Sequence, residues 1–181
     1  MLLKDYIPNI NKKYKDIFFS GISFSTSKVK KKNIFFAIKG NKIDGNKYID
    51  KAIKKGANVI VSEKRKINKK KNVVFLRSSN VRKLLAHVSF KILDKKPKKL
   101  VAVTGTNGKS SIADFFFQIL DLNSKKVASI GTIGIRHKDK KKILTNTTLD
   151  PIQLSSILKD LKKKKNWTCN LRSLKPWFKT K

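Results

Sequence analysis

Val101-Ala102-Val103-Thr104-Gly105-Thr106-Asn107-Gly108-Lys109-Ser110-Ser111 is the stretch on which the reading of this chain turns. A β-branched run enters a turn bracketed by Gly105 and Gly108, and Lys109 and two hydroxyls lead into the apolar-rich segment Ile112 to Leu122. The pattern predicts a buried parallel strand, a phosphate-cradling loop and the first turn of a helix. Glycines let such a backbone curl so that its N–H groups converge on phosphate oxygens. The helix N-terminus adds partial positive charge, Lys109 a full one, and Ser110 a hydroxyl suited to Mg²⁺. The common phosphate-loop pattern carries a glycine five residues before the Gly-Lys pair, and Val103 stands there instead.

The full string Thr-Gly-Thr-Asn-Gly-Lys-Ser-Ser, residues 104 to 111, resembles the ATP loop of the Mur ligase superfamily. That superfamily also includes folylpolyglutamate and cyanophycin synthetases. The resemblance implies that Gly105, Thr106, Asn107, Gly108, Lys109, Ser110 and Ser111 hold ATP, that Lys109 serves the reaction, and that Ser110 meets Mg²⁺. In the family ATP phosphorylates a carboxylate and an incoming amine displaces the phosphate.

Upstream, residues 1 to about 96 read as a small α/β unit. Ile17-Phe18-Phe19, Ile34 to Ile38, Val59-Ile60-Val61 and Val73 to Leu76 are expected strands. Tyr48, Ile49, Ala52 and Ile53 recur at helical spacing, and Gly56 is placed to end that helix. A second helix from Asn80 to about Leu93 sets Val81, Leu84, Leu85, Val88 and Ile92 on one face. Asp94 to Lys99, with Pro97, reads as the linker.

This unit is similar to the uridine-nucleotide domain of MurE-type ligases, with the MurF type second. The likeness rests on Ser25-Thr26-Ser27-Lys28-Val29, Ile34 to Gly40, Asp44-Gly45 and the helix ending at Gly56. The first segment usually reads Asp-Ser-Arg in the family; here Thr26 and Lys28 replace the Asp and Arg, and Ser27 matches. The resemblance implies that Ser25, Ser27 and the loop Asn41-Lys42-Ile43 touch the UDP part of a UDP-muramoyl peptide. Read without it, these residues form a turn and a helix cap.

Beyond the loop, Ile112, Phe115, Phe116, Ile119 and Leu120 are expected to face the core as a helical stripe. Lys126 to Thr132 reads as the next strand of a parallel sheet, and Ile133-Gly134-Ile135 as a glycine-broken turn. Thr145 to Pro151 resembles the MurE-type segment that grips the muramoyl peptide, which assigns Asn146, Thr147 and Thr148 to substrate; Leu149 stands where the family commonly has Pro. From the residues alone, the same run caps a helix with Pro151 at its first position, and Ile152, Leu154, Ile157, Leu158 and Leu161 follow.

From about Lys162 the text changes. Both tryptophans and the single cysteine, Cys169, fall in Asn166 to Lys181, without clear periodicity. The resemblance calls for a strand here carrying a metal-binding acid. Read one nucleotide later from Asn166, the codons permit Ile-Gly-His-Val-Ile-Leu-Glu-Ala-Ser-Ser-His-Gly-Leu-Lys-Gln, which resembles that strand and loop. An insertion or deletion just before Asn166 is therefore expected. Three regions follow: 1–96 for the uridine substrate, 97–165 as the start of the ATP-binding domain, and 166–181 as an out-of-frame tail. On this reading the C-terminal ligase domain is absent, and the chain is expected not to complete ligation alone.

Composition sets the outer bounds. With 181 residues, 39% hydrophobic and 11 Phe, the chain suits one domain or two small ones, each able to bury a core. The net charge of +34 makes nucleic acid the first partner to weigh. The excess is nearly all Lys, spread along the chain, with Arg only at 65, 77, 82, 136 and 172. Lys, Asn, Ile and Phe are what A/T-rich codons supply, so composition accounts for the charge without a nucleic-acid ligand. A lone Cys forms no intrachain disulfide and no Cys-based zinc site. His87 and His137 read as structural or solvated. No apolar run could span a bilayer or, in Met1 to Ile10, act as a signal peptide; a cytoplasmic monomer is expected.

The fold class expected is α/β: a small uridine-nucleotide domain followed by the start of a parallel-sheet, phosphate-loop central domain. The activity implied by the resemblance adds a third amino acid, diaminopimelate or lysine, to UDP-N-acetylmuramoyl-L-Ala-D-Glu with ATP and Mg²⁺. The alternatives are another amide ligase of the superfamily, of MurF type, or a non-catalytic basic nucleotide- or nucleic-acid-binding remnant.

Overall fold

The structure is a computed structural model. It describes residues 1–40, 43–64, 72–92, 97–131, 134–137, 140–142, 149–163 and 168–172, the side chains of 140–142 and 168–172 excepted. The chain divides into two compact units, Met1–Ile92 and Leu93–Lys181.

In the first unit, short helix α1 (Leu3–Tyr6) precedes strands β1 (Gly21–Ser23) and β2 (Asn33–Phe36), helix α2 (Ile49–Lys54), strands β3 (Val59–Ser62) and β4 (Val74–Arg77), and helix α3 (Val81–Ile92). The strands pair in sequence order and all in parallel, with Ile34 opposite Ile22 and Val59, and Ile60 opposite Phe75. Parallel pairing requires crossovers, and α2 supplies the one between β2 and β3. Every residue of β2 and β3 is buried, as befits inner strands covered on both faces. Phe35 and Ile60 pack with Ile49, Ala52 and Ala57 from the α2 side. On α3, Val81, Leu85 and Val88 are buried, and Leu84 and Ile92 are half-buried at the edges of the expected face. Gly56 ends the α2 segment at φ +98°, where an added Cβ would lie 2.9 Å from Lys31 Cα.

The first expected strand is displaced. Ile17-Phe18-Phe19 pairs not with the sheet but with the N-terminal segment: Leu3 N–H donates to Ile17 O, Phe19 N–H to Met1 O, and Phe18 bridges Leu2. Phe19 is buried edge-on against Tyr6, while Phe18 stays half exposed. Apolarity there reports burial of one ring rather than sheet pairing. The sheet strand is the weakly apolar Gly21–Ser23, where an added Cβ on Gly21 would stand 3.2 Å from Asn33 Oδ1.

The second unit comprises β5 (Lys99–Val103), α4 (Lys109–Leu122), β6 (Val127–Gly131), β7 (Gly134–His137), β8 (Lys140–Lys142), α5 (Pro151–Lys163) and β9 (Thr168–Arg172). The sheet order is β5-β9-β6-β7-β8: β9 lies parallel between β5 and β6, and β7 and β8 run antiparallel. Two expectations change here. Gly134-Ile135 is not a turn but the start of β7, with Gly134 in register with Gly131. The strand entering the glycine-bracketed loop is not buried as expected: Lys99, Leu100 and Ala102 of β5 are exposed and Val101 and Val103 half-buried, while Thr168 to Arg172, where the resemblance calls for a strand, forms an inner one. Readings placed on 164–167 and 173–181 lie outside the described residues.

The phase of α4 also differs from expectation. Ala113 and Phe117 are buried, whereas Ile112, Phe115 and Ile119 are 57%, 61% and 59% exposed and Phe116 and Leu120 are half-buried. Apolar residues ring this helix, so periodicity alone does not choose a face. The Arg136 guanidinium lies 4.3 Å from the centroid of the Phe117 ring and donates to Asp114 at 2.9 Å, which fixes the face turned toward β7. On α5, Leu154, Leu158 and Leu161 are buried, and Ile152 and Ile157 half-buried. Its entry is as expected: Pro151 opens the helix and Asp150 Oδ1 accepts from Gln153 N–H at 2.9 Å.

Candidate functional site: a phosphate loop and a strand-end crevice

Residues Thr104 to Gly108 join β5 to α4 and are exposed, while Lys109 and Ser110 are half-buried at the helix start. Gly105 and Gly108 adopt φ +147° and +74°, a region that favours glycine. Space is not the constraint at Gly108, where an added Cβ would meet nothing closer than Ile112 Cδ1 at 4.0 Å. Backbone conformation therefore demands these two residues. The Lys109 ammonium folds back over the loop and donates to Gly105 O and Thr106 O, both at 2.6 Å. The first N–H groups of any α-helix lack intrahelical acceptors. Here they stand beside this ammonium and the Ser110 hydroxyl, so donors and positive charge collect at one point. An anion fits that set: it can take hydrogen bonds the two carbonyls now receive. Among the described residues no group of three or more His, Cys, Asp or Glu could hold a metal.

In the first unit, the chain leaving each strand collects at the carboxyl edge of the sheet, where ligands of open α/β sheets bind. After β1, Ser23 Oγ accepts from Ser25 N–H at 3.2 Å and donates to Ser25 O at 2.8 Å. That turn leaves the Ser25 and Ser27 hydroxyls 2.8 Å apart and exposed. After β2, a loop closes through Gly40 N–H to Ile43 O and Gly45 N–H to Ile38 O, and leaves Ile43 61% exposed. Asn41 and Lys42 lie outside the described residues, as do Asn146, Thr147 and Thr148. Ser25, Ser27 and Ile43 thus share one sheet edge; Gly105 to Ser111 form one loop and helix start.

The sequence reading did not find what pins the β2 loop. Asp44 Oδ1 accepts from Asn46 N–H at 2.9 Å and from its side-chain amide at 2.6 Å. Asn46 Oδ1 in turn accepts from the buried Ser62 hydroxyl at 2.6 Å, at the end of β3. These bonds from Asn46 hold the Asp44 carboxyl below the usual carboxylate range. An added Cβ on Gly45 would lie 2.6 Å from Ile38 O and 2.7 Å from Ile38 N. Asp-Gly-Asn is visible in the sequence as a turn, but its partner sixteen residues on is not.

Together these features define an α/β protein of the phosphate-loop type whose first unit is a separate parallel sheet. Two family models match the chain: "Mur ligase family, catalytic domain" over residues 19–89 and "Mur ligase middle domain" over residues 103–169. The chain belongs to the Mur ligase family. It is 34% identical over 164 residues to a UDP-N-acetylmuramoyl-L-alanyl-D-glutamate–2,6-diaminopimelate ligase of Fusobacterium nucleatum, covering 90% of this chain and 32% of that one. The ligase of the same name from Rickettsia typhi is 35% identical over 157 residues, covering 84% and 32%. The chain thus spans about a third of the length of these relatives. Among solved structures, a UDP-N-acetylmuramoyl-L-alanyl-D-glutamate–2,6-diaminopimelate ligase matches with TM-score 0.78 at 24% identity, over 96% of this chain and 36% of that one. A MurF ligase from Thermotoga maritima in complex with ADP matches with TM-score 0.54 at 23% identity, over 87% and 33%. At these identities the structures speak to the fold, which is that of Mur ligases.

Proposed function

We propose that this chain carries the two nucleotide sites of a MurE-type ligase, an ATP-dependent enzyme that extends UDP-N-acetylmuramoyl-L-alanyl-D-glutamate by one amino acid. The observation that carries the proposal is the Lys109 ammonium on the carbonyls of Gly105 and Thr106, at the mouth of a glycine-bracketed loop. Residues 97–165 then form the start of the ATP domain and residues 1–96 the uridine domain. The diaminopimelate named for the relatives favours that amino acid over lysine.

ATP, when bound with Mg²⁺, supplies the phosphoryl group that activates the substrate carboxylate. The chain's own residues do the rest of the binding. Lys109 and the N–H groups from Gly105 to Ser111 neutralise phosphate charge in a fixed geometry, so little reorganisation is needed as charge shifts. Among them the Ser110 hydroxyl would hold the Mg²⁺. Ser25, Ser27 and Ile43, with Asn41 and Lys42, hold the uridine nucleotide, and Asn146, Thr147 and Thr148 the muramoyl peptide.

Titration with ATP and with adenosine tests the loop. Lys109→Ala is expected to weaken ATP by about 100-fold, the scale of a lost charge-assisted contact, and to leave adenosine unchanged. Equal ATP affinity in the variant would remove the loop from the proposal.

A further inference from the structure

Five lysines with no evident task converge on the opposite edge of the first sheet, where the strands begin. Lys30, Lys31 and Lys32 lead into β2, and Lys54 and Lys55 stand at the end of α2 before β3; all five are exposed. Parallel strands bring both approaches to one edge, and direct contacts hold them together. Lys32 N–H donates to Gly56 O at 2.7 Å, and Gly56 is packed against Lys31. Ser20 Oγ and N–H bind Lys31 O and Lys32 O, which brings in the approach to β1. Phe18, 50% exposed, lies on that approach, tied to the start of β3 by the Asn58 amide donating to its carbonyl. The Lys32 ammonium sits 5.8 Å from the Phe18 ring centroid. Among the described residues none of the five ammonium groups is in an ion pair, and nearby Asp16 is already paired with Lys4.

Two lysines at a helix C-terminus can simply complement the helix dipole. That accounts for Lys54 and Lys55 but not for Lys30 to Lys32 or for an exposed aromatic ring beside them. We propose that this edge binds single-stranded nucleic acid without sequence preference. Ammonium groups on two touching segments would neutralise consecutive phosphates, and the Phe18 ring would offer a base a stacking platform. Lysine rather than arginine dominates, so bidentate reading of base edges is not built in. An anionic membrane would use the same charge, but Phe18 is the one large apolar side chain exposed on this edge among the described residues, which is little to insert.

The test uses the full chain with a labelled oligouridylate of about 12 nucleotides, and phosphatidylglycerol vesicles as a second arm, each across a salt series. One variant changes Lys30, Lys31, Lys32, Lys54 and Lys55 to Gln. A charge-matched control changes Lys83, Lys91, Lys125, Lys126 and Lys159, all exposed, to Gln. Five phosphate contacts predict that the slope of log affinity against log salt shrinks by about 3.5 in the first variant and by less than about 1 in the control. Changing the five edge lysines to Arg should keep the slope, which separates lost charge from a damaged fold. Phe18→Ala should weaken binding roughly 10-fold at an unchanged slope. Equal slope losses in the two Gln variants would show diffuse charge attraction and overturn the proposal. So would vesicle binding without oligonucleotide binding, or an affinity untouched by Phe18→Ala.

Discussion

Gly45 and Asp44 show how single residues shape the carboxyl edge of the first sheet. With Ile38 O and N at 2.6 and 2.7 Å from an added Cβ, Gly45→Ala forces backbone against backbone. Such overpacking costs about 1–3 kcal/mol, so the first unit should melt several degrees lower; an unchanged Tm would mean the loop relaxes freely. Asp44 makes a pH-dependent contribution. Its folded carboxyl titrates below the ordinary aspartate range, so it stabilises the fold above that range. The stabilisation is lost as pH falls through the lower folded value. Tm measured from pH 6 down to about 2.5 should fall more steeply in the natural chain than in Asp44→Asn. Parallel curves would remove the Asn46 bonds as its cause.

At the scale of elements, α4 decides how the phosphate loop is held. Its buried side is Ala113 and Phe117, clamped by Arg136 and Asp114, so Phe117→Ala should cost about 3–5 kcal/mol. Phe115→Ala, on a ring 61% exposed, should stay within about 0.5 kcal/mol. Denaturant melts of the two variants check this, and the reverse order would restore the face expected from sequence. The contrast explains which elements were legible. Inner strands β2 and β3 could be read because burial on both faces leaves an unbroken apolar run. The α5 entry and the Gly105–Gly108 loop could be read because local backbone chemistry demands those residues. The first strand and the phase of α4 could not, since each depends on a partner distant in sequence; the β7 pairing is a local hairpin, Gly134 opposite Gly131, whose glycines read equally as a turn. Gly21–Ser23 is a strand because Asn33–Phe35 lies beside it, and Phe117 faces inward because Arg136 lies over it. The same holds for the candidate site: Ser25, Ser27 and Lys109 are proposed from local motifs, whereas the Asn46–Ser62 tie joins the turn after β2 to the end of β3.

At the scale of the whole molecule, two compact units each place a candidate nucleotide site at the end of a parallel strand, β1 in one and β5 in the other. A charge of +34 raises the local concentration of any nucleotide, so affinity alone does not establish a site. Independence and selectivity do. The decisive measurement is calorimetric titration of the chain with UDP-N-acetylmuramoyl-dipeptide, repeated with saturating ADP. The account predicts saturable one-to-one binding that survives moderate salt, is displaced by UDP and is not displaced by ADP. Binding that disappears with salt, or that ADP and UDP displace equally, would contradict two separate nucleotide sites on this chain.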